Sequence, residues 1–112
     1  MHTRGDVFQL LDILRDLEQS GEAYFEFLRR DSLSAGIYHL SSGEPDRQRP
    51  HSEDEVYYVL GGEGRVEIDG EVSDVRPGSI VFVAKDVSHR FLDYPEGLTL
   101  LVLFAPARGS QA

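Results

Sequence analysis

From residue 23 onward the chain is punctuated too often for helices. Eight short apolar or alternating runs (23–28, 35–40, 56–60, 65–68, 72–75, 80–83, 89–92 and 98–104) are interrupted by Gly61-Gly62-Glu63-Gly64, Asp69-Gly70, Pro77-Gly78 and Pro95-Glu96-Gly97. Glycine supplies positive φ and proline a fixed φ, so each cluster reads as a turn. Asp69-Gly70 is the residue pair that a two-residue type I′ hairpin prefers. Runs this short, joined by turns this tight with no helix between them, predict antiparallel strands closed into a barrel or stacked as two sheets. The expected fold class is all-β, a jelly-roll barrel.

Before residue 22 the period is different. Val7, Leu10, Leu11, Leu14 and Leu17 recur at intervals of three and four, with Asp6 placed as an N-cap and Gly21 as a stop. That predicts one N-terminal amphipathic α-helix, too short to be stable alone, whose stripe packs on the main domain or on a second subunit. A chain of 112 residues holds one ordinary domain. Its expected division is a helical extension over 1–21 and a β-barrel over 22–112. The polar stretch Ser41 to Pro50 is the one long loop inside the barrel region.

Twenty acidic residues against eleven basic ones give a net charge of −9. Nucleic acid needs a positive stripe and anionic membranes repel such a field, so neither is an expected partner. The absence of cysteine excludes a disulfide scaffold, a thiolate metal site and a Cys nucleophile. The longest apolar run, Leu98 to Ala105, is far short of the ~20 residues that span a bilayer. A soluble, cytoplasmic protein is the expectation.

The polar loop runs into Arg49, His51, Glu53 and Glu55 at the mouth of a strand. Residues two and four apart in extended chain share a face, so His51 and Glu55 can point into the barrel with Tyr57. An imidazole and a carboxylate on one face make two metal ligands, and His89, which opens a later strand, can be brought opposite them by antiparallel pairing. Glu53 is a candidate for an extra oxygen ligand. Arg49 either pairs with Glu53 or Asp54 or clamps a substrate carboxylate or phosphate bidentately. Tyr57, Phe82 and Phe91 are candidates to shape an apolar cavity for a small ligand, although aromatic residues in a small barrel also serve simply as core.

The pattern Gly43-x5-Arg49-x-His51-x3-Glu55-x6-Gly62 resembles the first cupin motif, with Arg49 standing where that motif has its first histidine. Pro77-Gly78-Ser79, Ala84, His89 and Asp93 resemble the second, with His89 retained. The resemblance implies a cupin-type double-stranded β-helix. It also implies a divalent metal (Fe, Mn, Ni, Co or Zn) held by His51, Glu55 and His89, and a homodimer of the kind small cupins form. Two functions follow as expectations. One is a metal-dependent enzyme of the dioxygenase or isomerase type acting on a small, anionic organic metabolite, with dioxygenase chemistry favoured by the open positions of a three-ligand site. The other is a non-catalytic module that binds or senses a small molecule through a degraded metal site.

Overall fold

The structure, a computed structural model, describes residues 4–110; residues 1–3 and 111–112 of the two expected segments lie outside them. One helix, α1 (Leu10–Ser20), precedes eight strands: β1 (Tyr24–Arg29), β2 (Ser34–Leu40), β3 (Asp54–Gly61), β4 (Gly64–Ile68), β5 (Glu71–Val75), β6 (Ile80–Val83), β7 (His89–Leu92) and β8 (Leu98–Ala105). Each strand overlaps one of the runs read from the sequence. Asp69 and Gly70 both take positive φ, 48° and 87°, as a type I′ turn demands.

Every pairing is antiparallel. A five-stranded sheet runs β1-β2-β8-β3-β6 and a three-stranded sheet β5-β4-β7. Alternation sends Leu98, Leu100, Val102 and Phe104 of β8, with Tyr57 and Val59 of β3, to the inner face, where they meet Val66, Val75 and Phe91 of the smaller sheet. The core lies between the two layers, so a side chain at the loop end of an inward row borders both the core and solvent.

The helix begins later than the apolar period suggests. Its first hydrogen bonds run from Asp12 and Ile13 N–H to the Gln9 carbonyl, and Gln9 caps it without a side-chain bond. Asp6 is instead drawn to Arg30 at 2.9 Å, and Val7 is 87% exposed. Gly21 does end the helix, in the left-handed conformation at φ 71°. Ile13 and Leu17 are buried against Ile37, Phe25, Leu60 and Leu101 on the outer face of the larger sheet. The C-terminal half of the helical stripe is thus spent within the chain, Leu10 and Leu11 stay exposed, and the alternate residues of β8 are spent on the core. No helix among the described residues is long and apolar enough to cross a membrane.

Candidate metal centre and its cavity

β3 and β7 bring three of the expected site residues together. His51 enters just before β3, Glu55 is its second residue and His89 opens β7. His51 Nε2 lies 3.7 Å from Glu55 Oε1, and His89 Nε2 lies 3.4 Å from Glu55 Oε2. The two imidazole centroids are 6.1 Å apart. His89 Nδ1 is 3.0 Å from the Val87 carbonyl, which can only accept. That nitrogen therefore carries a proton, and the bond turns Nε2 towards the cluster.

Tyr57 sits at the centre of the cluster. Its hydroxyl is 2.8 Å from Glu55 Oε1, 2.8 Å from Gln48 Oε1 and 3.1 Å from His89 Nε2. Two of these partners, Glu55 and Gln48, are acceptors that compete for its one proton. Gln48 is oriented this way because its amide N–H₂ donates to Asp46 at 3.0 Å. Asp46 also accepts from Phe91 N–H at 2.8 Å and Tyr38 O–H at 3.3 Å, tying the polar loop across the barrel end. Neither Asp46 nor Gln48 emerges from the sequence reading. The Asx-type bond from Gln48 N–H to Asp46, 3.1 Å, is the one local signal that marks them.

Electrostatics follow from burial. Desolvation, outweighing the His89 imidazole and the Tyr57 hydrogen bond, raises the Glu55 pKa. Desolvation, then the Arg108 guanidinium and His89, lowers that of His51, leaving it neutral at physiological pH. Burial first, then the Glu55 charge, pushes Tyr57 far above the ordinary phenol value, so it stays an O–H. Glu53 is only 2% exposed, and its Oε1 has no hydrogen-bond partner among the described residues. Its charge acts on both His51 and Glu55.

A cavity of about 450 Å³ opens on this cluster through His51 and Gln48, with Tyr24, Tyr38, Arg49 and Arg108 among its walls. Tyr57 is wholly buried behind them. A larger cleft, about 680 Å³, lies between the polar loop and residues 90–95 and contains none of the triad, so the smaller cavity is the candidate site. Arg49 faces that cavity, with neither Glu53 nor Asp54 paired to it among the described residues. Phe91 is buried edge-on against Tyr57 at 5.0 Å and borders the larger cleft. Phe82 departs from expectation. It lies 59% exposed on the outer face of β6, because the inward positions of that strand belong to Val81 and Val83, and it is not among the residues lining the candidate cavity.

Among the described residues, no group of three or more His, Cys, Asp or Glu side chains stands as it is in an arrangement able to hold a metal ion. The donors nonetheless fit a divalent ion in kind. Two imidazoles and a two-oxygen carboxylate meet around one Tyr57 O–H, and two residues before Glu55 the buried Glu53 oxygen is without a partner among the described residues. Such an excess of acceptors is relieved by a proton or by a cation. Closing the set on an ion requires small rotations that free His89 Nε2 and Glu55 Oε1 from Tyr57.

The cupin-domain family profile matches residues 36–104, which contain both motifs and all three triad residues. Over 99 residues, 88% of this chain and 94% of the relative, the sequence is 37% identical to the uncharacterized protein SCO3923 of Streptomyces coelicolor. Over 72 residues, 64% of this chain, it is 35% identical to the dimethylsulfoniopropionate lyase DddW of Ruegeria pomeroyi, of which it spans about half the length, 47%. In structure it superposes on an RmlC-like cupin from Shewanella frigidimarina with a TM-score of 0.70 and 27% identity, covering 80% of this chain and 79% of that one.

Proposed function

This chain belongs to the cupin family, and from that premise we propose that it binds one divalent ion through His51, Glu55 and His89, with Glu53 within reach as a further oxygen donor, and acts on a small organic anion in the adjoining cavity. The observation that carries the reading is the convergence of two imidazoles on one buried carboxylate, His51 Nε2 at 3.7 Å and His89 Nε2 at 3.4 Å from the Glu55 oxygens, with the Tyr57 hydroxyl beside Glu55 and His89. When bound there, such an ion supplies Lewis acidity, polarising a ligand carbonyl or lowering the pKa of a nearby water.

The protein groups supply proton handling. Tyr57, held between Glu55, His89 and Gln48, is the one O–H of the cluster, and Glu55 is the base beside it. An O–H held beside a carboxylate suits the removal and return of a proton on carbon, which favours lyase or isomerase chemistry over the dioxygenase chemistry that three ligands alone suggested. The 35% identity to a lyase supports the same direction. Arg49, in the place of the family's first histidine and facing the cavity, favours a second reading, a non-catalytic anion-binding module.

Metal content separates them. Protein purified and titrated with Mn, Fe(II), Co, Ni and Zn is expected to hold about one ion per chain, the number one triad accommodates, and His51→Ala and His89→Ala are each expected to lose it. Undiminished metal in both variants contradicts the assignment. Metal binding without turnover of any small organic acid supports the binding module.

A further inference from the structure

Arg108 lies beyond the matched cupin region and in no sequence motif, yet its side chain turns back over the cavity. We infer that Arg108 and the Tyr24 hydroxyl form a recognition pair for the carboxylate of a small organic acid, an inference that rests on the cavity being the ligand site proposed above.

The pair is pre-positioned. The Arg108 guanidinium carbon sits 4.8 Å from the centroid of the Tyr24 ring and 5.8 Å from that of Phe104, a stacked arrangement that limits its freedom before any ligand arrives. Its backbone is fixed as well. Arg108 N–H donates to the buried Ser34 Oγ at 2.9 Å, and Ala107 N–H to the Asp31 carbonyl at 3.3 Å. Tyr24 is laid across Gly36 of β2, where a Cβ would collide with its ring, and its hydroxyl is buried with no hydrogen-bond partner among the described residues. Burial first and the Glu26 charge second push the Tyr24 pKa up to about 12, so this hydroxyl is an unused donor at physiological pH.

Charge makes the same point. In a chain of net charge −9, Arg15, Arg29, Arg65 and Arg90 each face a carboxylate at 2.8–3.5 Å. Arg47, Arg49 and Arg108, which share the cavity wall, have none within 4.0 Å among the described residues. Unpaired guanidinium groups gathered at one cavity of an acidic protein form an anion-attracting mouth. Two parallel N–H donors and one O–H match the two oxygens of a planar carboxylate. The nearby Glu53 and Glu55 charges disfavour a dianion, which selects carboxylate over phosphate.

Calorimetry with propionate, propionamide and inorganic phosphate tests the pair on the whole chain, with metal content measured on each sample. Propionate is expected to bind and propionamide not. Arg108→Ala should weaken propionate by about 10- to 100-fold, the loss of a charge-assisted contact, and Tyr24→Phe by several-fold, with metal content unchanged in both. Wild-type affinity in Arg108→Ala, equal binding of propionamide, or phosphate binding more tightly than propionate overturns the inference. A wild type that takes up metal but no propionate overturns it and leaves the metal reading standing. Arg108-dependent propionate binding in a protein that holds no metal does the reverse.

Discussion

Glu55 is held in the barrel interior at 1% exposure, with Tyr57 donating to it and both imidazoles within 3.7 Å. Its folded pKa is raised above the ordinary 4.5, so the ionised form costs stability, and that cost is fully present once the pH exceeds the folded value. His51 works in the opposite sense. Its folded pKa lies below 6.5, so the unfolded chain takes up a proton first, and stability falls as the pH drops through the unfolded value. In the wild type the two slopes oppose each other where the range above 4.5 that belongs to Glu55 meets the range below 6.5 that belongs to His51. Glu55→Gln, which keeps an acceptor for Tyr57 but no charge, should raise metal-free stability at neutral pH by about 1 kcal/mol, and should then lose stability on acidification more steeply than the wild type. His51→Ala should flatten or reverse that slope. Thermal melts across the range read both effects, and parallel profiles for the three proteins would remove burial as the cause. The residue whose charge burial disfavours is the one the proposed metal centre would use, a common trade between stability and function.

β2 carries its own constraint on the cavity. Gly36, at an inward position, leaves the space that the Tyr24 ring fills, so a methyl group there must displace the ring. Gly36→Ala is expected to cost about 1–3 kcal/mol, the range for overpacking, and the cost should largely vanish in a Tyr24→Ala background, because the two side chains contend for one volume. A double-mutant cycle in denaturant gives the coupling; additive effects would place the strain elsewhere. Strands of this kind were legible in the sequence because alternation and turn residues are local, as at Asp69-Gly70. The helix start was not, since Val7 and Leu11 continue the apolar period on the solvent side while Asp6 answers to Arg30, a partner distant in sequence. The same division holds at the site. His51, Glu55 and His89 could be read from spacing and motif, and the outward turn of Phe82 follows from the register of β6 on β3. The reach of Gln48 to Tyr57, the bond of Asp46 to β7 and the fold-back of Arg108 depend on how a loop and a chain end lie across the barrel, which no local pattern encodes.

At the scale of the whole molecule, large apolar side chains stay uncovered at the start of the helix and on the outer face of the larger sheet. Ile13 and Leu17 of the helix and the inward residues of β8 are consumed by the chain's own core, while Val7, Leu10 and Leu11 stay exposed. Beside the helix, on the outer face of the larger sheet, Val56 lies between Leu103 and Phe82, and Tyr58 lies between Leu101 and Ile80. Phe82, Ile80, Leu103 and Tyr58 are all exposed there, and β6 ends the sheet with a free edge. Contiguous apolar side chains at a sheet edge invite pairing with another copy. A homodimer of the kind expected for a small cupin would take this face as its seat, formed isologously about a two-fold axis. Light scattering and sedimentation should find a dimer that Phe82→Glu converts to monomer, without change in metal content, since Phe82 points away from the cavity. Salt supplies a further sign. Two copies of charge −9 repel, so an apolar seat should strengthen as ionic strength screens that repulsion, whereas a seat made of ion pairs should weaken. A Phe82→Glu protein that remains dimeric, or a wild-type dimer that dissociates as salt is added, places the interface on another surface.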